Sequence, residues 1–160
     1  MGLLFALAMA LSAAESFLLP ALPLGIKIGL SNIVTMFTLF VLGRRDAILM
    51  AILKSAFVFL VRGAVSAAIS VSGGLLSVLV MILIRHLTKE KGSLLFLSCL
   101  GAVAHNVGQL LTASRFMGTN KVFSLLPLLI LSGLGMGALT GTLLRFLGPY
   151  LARVPLFSKR

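Results

Sequence analysis

Long apolar runs, separated by short polar turns, dominate the pattern along the chain. A membrane-spanning helix needs about 20 mostly apolar residues, and runs of that length recur from one end of the sequence to the other. Prolines, glycines and short charged clusters mark the boundaries, because these residues end helices or require water. The pattern predicts an all-α integral membrane protein, a bundle of about six transmembrane helices in a single transmembrane domain over residues 1–160. The predicted helices are residues 2–19, 25–43, 46–62, 64–84, 93–114 and 122–147.

The composition agrees with this pattern. Of the 160 residues, 59% are hydrophobic and 11% are charged, whereas about a quarter of the residues in a soluble domain are charged. So few charges do not cover a water-facing surface, and a lipid bilayer removes the need for one. The net charge of +11 does not indicate a nucleic-acid partner, because the basic residues fall singly or in pairs between apolar runs and form no patch.

Basic residues in the short loops predict the orientation, since Lys and Arg accumulate on the cytoplasmic side of a membrane. With the N-terminus inside, the outer side holds four basic residues, Lys27, Arg62, Arg115 and Lys121. The cytoplasmic side then holds nine: Arg44, Arg45, Arg85, Lys89, Lys91, Arg145, Arg153, Lys159 and Arg160. Both termini are therefore predicted to be cytoplasmic. The apolar start also resembles a cleavable secretory signal, but no basic stretch precedes Leu3.

Small residues recur at helical spacing in the first and last predicted helices. Helices in lipid associate through close packing of such residues. We expect the glycines of the last helix to pack within the bundle, at Gly133, Gly137 and Gly141. The alanines of the first helix either pack in the same way or form a docking face for a separate membrane protein, at Ala6, Ala10 and Ala14.

One lysine lies inside a predicted helix. Lys54 is eight residues into the third helix, roughly 12 Å from the inner end at the α-helical rise. A charge at the centre of a spanning helix costs about 2.5–3.5 kcal/mol on insertion scales, so such a residue usually faces an interior cavity. Lys54 is therefore a candidate for ligand binding or ion pairing. The alternative is a side chain that extends along the helix to the interface.

The fifth predicted helix contains the densest polar cluster. His105 and Gln109 are four residues apart, and Asn106 and Gln109 are three apart, so the three are predicted to form one patch. Asn32 gives the second helix a smaller patch. Two interpretations remain open for these side chains: hydrogen bonds to a neighbouring helix, or the lining of a binding cavity.

Four basic residues collect at the predicted outer mouth, with Lys54 beneath them. Such a mouth attracts anions, although the same residues also suit ordinary loops. Together with the polar clusters, they predict a binding site for a small amphipathic anion. Its expected residues are Lys27, Asn32, Lys54, Arg62, His105, Asn106 and Gln109.

The sequence lacks the residues that common catalytic chemistries need. Its three acidic residues, Glu15, Asp46 and Glu90, are too widely spaced to suggest a magnesium-binding pair. It has no phosphate-binding GxxxxGK[ST] loop and no Cys, His and Asp at metal-ligand spacing. We therefore expect no enzymatic activity, no metal and no covalently bound cofactor.

Three runs of residues resemble a known family: LPLGIKIGLSNIVT at 22–35, SGGLLS at 72–77 and GAVAHNVGQ at 101–109. They are similar to the Gx transporter family, which is also labelled heptaprenyl diphosphate synthase component I. The resemblance extends from about Ala6 to Leu147. This family in turn resembles the substrate-binding S-components of energy-coupling-factor (ECF) transporters.

The resemblance implies a function and partners. It implies a bacterial cytoplasmic membrane protein whose six helices bind a vitamin-like molecule, here related to a flavin, a quinone or a prenyl compound. It also implies that the alanine stripe docks a transmembrane scaffold protein driven by two ATPases. The alternative is a non-catalytic membrane partner in a prenyl-diphosphate, quinone or flavin-based extracellular electron-transfer system. Prenyl diphosphate synthases hold magnesium through aspartate-rich motifs, and Asp46 is the single aspartate of this chain, so an enzyme is not expected.

Overall fold

The computed structural model describes residues 2–18, 31–89 and 92–151, with side chains over 2–14, 31–89 and 92–146. Within these ranges the chain is helical and contains no strand. The predicted all-α class and the number of six helices are confirmed for this part of the chain. The helices are α1 Gly2–Leu18, α2 Asn32–Val41, α3 Arg44–Arg62, α4 Ala64–Leu87, α5 Leu94–Met117 and α6 Leu126–Leu151, with a 3-10 helix at Asn120–Leu125.

Tight glycine turns separate neighbouring helices. Gly43 lies between α2 and α3, and Gly63 alone connects α3 to α4. Both have positive φ angles, of 109° and 82°, which glycine adopts without the steric cost that a Cβ atom brings. The Gly63 turn makes α3 and α4 direct neighbours, and they pack along each other.

Three helical segments are long and apolar enough to cross a membrane: Ala64–Leu87, Leu94–Met117 and Asn120–Phe146. The prediction of six spans is therefore supported for three segments only. α3 has 19 residues, but it carries five charged residues: Arg44, Arg45, Asp46, Lys54 and Arg62. α2 has 10 residues, about 15 Å of helix against a hydrocarbon core of about 30 Å, and residues 19–30 before it lie outside the described ranges.

The bundle is apolar outside and partly polar inside. Large hydrophobic side chains face outward, including Leu60 at 80% and Leu131 at 70% exposure. Polar side chains such as Thr35, Ser77 and Ser98 are completely buried. A soluble monomer rarely exposes large contiguous apolar patches, so this distribution suits a lipid environment.

The glycines of the last helix pack against α5. A Cβ atom on Gly133 would lie 3.2 Å from Val103 Cα, and one on Gly141 would lie 2.7 Å from Leu95 Cα. A Cβ on Gly137 would collide with the Cα of Cys99. These glycines therefore allow the backbones of α5 and α6 to approach closely, which is the internal packing expected for them.

Candidate binding site

A small cavity lies between α1, α3, α4 and α5, in the half of the bundle nearer the Gly63 turn. Its volume is about 20 Å³, enough for about one water molecule. Four of the seven predicted site residues line it: Lys54, Arg62, His105 and Gln109. The described residues that line it are Ser12, Ser31, Lys54, Val58, Arg62, Ser66, Ile69, Ser70, His105 and Gln109.

Helical spacing explains why these side chains converge. Lys54, Val58 and Arg62 lie at intervals of four along α3, so they form one row on its surface. His105 and Gln109 have the same spacing on α5. The two rows meet because α3 packs on α4 and α4 packs on α5.

A close crossing of two glycines holds α5 against α4 at this level. A Cβ atom on Gly73 would lie 2.7 Å from Gln109 Cγ and 2.8 Å from the His105 carbonyl oxygen. A Cβ on Gly108 would lie 3.0 Å from Gly73 Cα. Both glycines belong to motifs that carried the family resemblance. The close approach of α4 and α5 shows that they pack against each other.

Lys54 is 3% exposed and lines the same cavity as His105. The cavity brings the cationic Lys54 and Arg62 side chains together with the polar His105 and Gln109. Basic groups that converge on one recess create a positive potential that attracts anions.

His105 and Gln109 form a hydrogen-bonded pair, with 2.8 Å between the Gln109 Nε2 and His105 Nε2 atoms. The roles in this bond depend on the imidazole tautomer: when the amide N–H donates, Nε2 accepts and the imidazole proton is on Nδ1. His105 is 2% exposed, and Nδ1 makes no hydrogen bond of good geometry with a described residue, although the Gly73 backbone lies against the ring and interacts with it. A ligand oxygen at Nδ1 would give this buried group a better-aligned partner.

Serine hydroxyls complete the polar lining. Ser12 comes from α1, Ser31 directly precedes α2, and Ser66 and Ser70 come from α4. In the sequence these serines resemble the small residues that let helices approach, so sequence analysis did not select them as ligand contacts. Their convergence on one cavity depends on the packing of four helices.

Asn106 lies on a different face of α5, and the prediction that it shares a patch with His105 and Gln109 requires correction. Its Nδ2 atom donates to the Leu129 carbonyl oxygen at 2.6 Å and to Ser132 Oγ at 3.4 Å. Both acceptors belong to α6. One residue step turns the α-helix by about 100°, which directs Asn106 to α6 while His105 faces the cavity.

Two other predicted residues are not part of the cavity lining that the structure describes. Asn32 donates from Nδ2 to Ser77 Oγ at 3.3 Å and so connects α2 to α4. Lys27 lies outside the described residues. Among the further cations of the predicted mouth, Arg115 and Lys121 are exposed.

Several buried oxygens have no hydrogen-bond partner in the described part of the chain. They lie on α2 and α5, and they are Asn32 Oδ1, Thr35 Oγ1, Ser98 Oγ and Asn106 Oδ1. On the described residues, no group of three or more His, Cys, Asp or Glu side chains is arranged to hold a metal ion.

The alanine stripe of α1 faces away from the bundle. α1 buries Leu4, Ala8 and Ser12, whereas Ala6 and Ala10 are exposed and Ala14 is half-buried. The stripe is therefore available to another protein or to lipid.

The fold and the cavity together define a class: an all-helical protein with an apolar, membrane-compatible exterior and an internal polar cavity. The model of one family, heptaprenyl diphosphate synthase component I, matches residues 4–147. The chain belongs to this family, which confirms the resemblance drawn from the three sequence motifs. Comparisons with curated proteins and with solved structures found no match.

Proposed function

We propose that this protein is a membrane-embedded substrate-binding subunit, similar to the S-components of ECF transporters, for the uptake of a small amphipathic anion. The observation that carries the proposal is the convergence of buried Lys54 with Arg62 and the His105–Gln109 pair on one cavity. A flavin-, quinone- or prenyl-related compound with a carboxylate or phosphate group has the required chemistry.

The cavity has a volume of about 20 Å³, which holds about one water molecule, whereas small-molecule sites usually have volumes of about 300–1,000 Å³. A ligand of vitamin size therefore requires the lining to move apart. Arg62 is exposed at the last turn of α3, so the cavity reaches the surface of the bundle on this side. We propose that the anionic group lies against Lys54 and His105, with the ligand body toward the Arg62 end.

The outward alanine face supports the second half of this proposal, a partner protein in the membrane. Small side chains allow the backbone of another helix to approach closely, and Ala6, Ala10 and Ala14 offer such a surface along three turns. The proposed partner is a transmembrane scaffold protein coupled to two ATPases. In this proposal the protein spans the bacterial cytoplasmic membrane six times, with both termini in the cytoplasm.

The family description favours a second candidate function. It names one component of a heptaprenyl diphosphate synthase, which suggests a non-catalytic membrane partner in a prenyl-diphosphate, quinone or electron-transfer system. Both candidates accept an amphipathic anion in the cavity. They differ in the partner: a scaffold with ATPases in the first, a prenyltransferase or flavin-carrying protein in the second.

The test of the binding site begins with the ligand that the protein carries. Native mass spectrometry of gently solubilised protein is expected to detect a co-purified anionic small molecule. Lys54→Met keeps a side chain of similar length and an apolar stem but removes the ammonium charge. It should weaken binding by about 2–5 kcal/mol, the usual effect of breaking a buried charge pair.

Lys121→Met is the matched control, because it removes an exposed cation from the same end of the bundle and should leave affinity nearly unchanged. If Lys54→Met binds as the parent does and only its thermal stability changes, the lysine is a structural residue. The binding proposal would then be rejected.

A further inference from the structure

A second recess lies at the opposite end of the bundle from the cavity. It is a groove of about 550 Å³ between the start of α5 and the later turns of α6. Its volume is in the range of small-molecule sites. Its lining includes Ser93, Leu94 and Leu95 at the start of α5, and Thr142, Arg145 and Phe146 from α6.

The groove combines one cation with apolar walls. Leu94, Leu95 and Phe146 are exposed by 37%, 49% and 68%, so the walls continue into the apolar exterior of the bundle. Arg145 is the only charged residue among the described residues that line the groove. Its guanidinium has no hydrogen bond or ion pair with any described residue. A molecule that fills this groove therefore needs a negative group and an apolar part.

The surroundings reinforce the preference for negative charge. α3 begins with Arg44 and Arg45 at this end, and Arg85 lies in the last turn of α4. Asp46, in the first turn of α3, is the acidic residue described at this end, so the cations outnumber it. Arg85 already lies over the Phe40 ring, with 5.7 Å from the guanidinium carbon to the ring centroid. Several cations at one end of a helical bundle create a local positive potential that attracts anionic lipid headgroups.

We propose that this groove binds an anionic phospholipid, with its phosphate on Arg145 and its acyl chains along Leu94, Leu95 and Phe146. A phosphate accepts the two parallel N–H groups of a guanidinium, and the Ser93 and Thr142 hydroxyls lie in the same groove as further donors. The chains then remain in the bilayer beside α5 and α6. A free phosphate ion shares the headgroup chemistry but gains nothing from the apolar walls.

Native mass spectrometry in detergent, with phosphatidylglycerol or phosphatidylcholine added at equal concentration, tests this site. The parent protein should retain one phosphatidylglycerol more tightly than any phosphatidylcholine. Arg145→Gln should weaken that retention by about tenfold or more, since it removes a charge-assisted bidentate contact. Arg45→Gln is the matched control, because Arg45 is an exposed cation at the same end but outside the groove. It removes the same charge from the general potential without a direct contact, so it should weaken retention far less than Arg145→Gln.

Two further arms keep the result decisive. Inorganic phosphate that displaces phosphatidylglycerol completely at low millimolar concentration would indicate a free-anion site and overturn the lipid assignment. Thr142→Phe fills the groove without removing the cation, and it should also abolish tight retention. Equal retention in Arg145→Gln and Arg45→Gln, or in Thr142→Phe and the parent, would reject the proposal. None of these outcomes depends on the function proposed for the cavity at the other end of the bundle.

Discussion

Adjacent residues on α5 contribute to different interfaces. His105 and Gln109 face the cavity between α3, α4 and α5, whereas Asn106 donates hydrogen bonds to Leu129 and Ser132 on α6. All three are at most 4% exposed, so burial alone does not distinguish a ligand contact from a structural bond. The group that each side chain contacts distinguishes a ligand contact from a structural bond. Substitutions at these residues should therefore affect either ligand binding or stability.

Asn106→Leu should therefore mainly affect stability, and Gln109→Leu should mainly affect ligand affinity. Asn106→Leu removes a buried bond between α5 and α6 and should lower the free energy of unfolding by about 1–3 kcal/mol, with ligand affinity little changed. Gln109→Leu removes the amide that pairs with His105 and should mainly weaken ligand binding. Thermal unfolding in detergent and ligand titration measure the two effects. A loss of affinity in Asn106→Leu comparable to that in Gln109→Leu would contradict this assignment.

At the scale of whole helices, α1 presents different residues on its inner and outer faces. Its inner face supplies Ser12 to the cavity, and its outer face presents the alanine stripe. α6 uses its small residues differently, since Gly133, Gly137 and Gly141 all meet the backbone of α5. The same four-residue spacing therefore indicates internal packing in one helix and an available surface in the other.

Ala10→Trp tests whether the outer face of α1 docks a partner. A bulky indole on this exposed position prevents close approach of another helix, so co-purification with the partner should be lost while folding and ligand binding persist. Leu131→Trp on α6 is the matched control, because Leu131 is 70% exposed outside the stripe. Normal co-purification of Ala10→Trp would mean that the stripe contacts lipid only.

At the scale of the molecule, the described cations are divided between the two ends. The cavity end contains Lys54, Arg62, Arg115 and Lys121, and the other contains Arg44, Arg45, Arg85, Lys89 and Arg145. The outer surface between them is apolar. The positive-inside rule predicts that the second end is cytoplasmic, and the function proposed above requires the cavity end to open to the outside.

A single labelled cysteine tests that orientation. Lys89→Cys, in a Cys99→Ala background that removes the native thiol, puts a thiol at an exposed position after α4. An impermeant maleimide should not label it on intact cells but should label it after the membrane is permeabilised. Thr119→Cys, in the loop between α5 and the 3-10 helix, should behave in the opposite way. Labelling of Lys89→Cys on intact cells would reverse the predicted topology.

The sequence by itself determined the helical class, the approximate helix boundaries and the family, because these depend on local signals. Apolar runs, glycine turns and three short motifs are each readable within about 20 residues. It also selected Lys54, Arg62, His105 and Gln109, because charged or strongly polar side chains within apolar helices are costly and therefore conspicuous.

The tertiary structure decided which of these residues meet. The direction of a buried side chain depends on how its helix is rotated against its neighbours, and one residue step of about 100° separates Asn106 from the cavity. The cavity and the Arg145 groove are lined by segments that are distant in sequence: Ser12 and Gln109 line the first, and Leu95 and Arg145 line the second. No local pattern encodes such pairings, because the packing of whole helices fixes them.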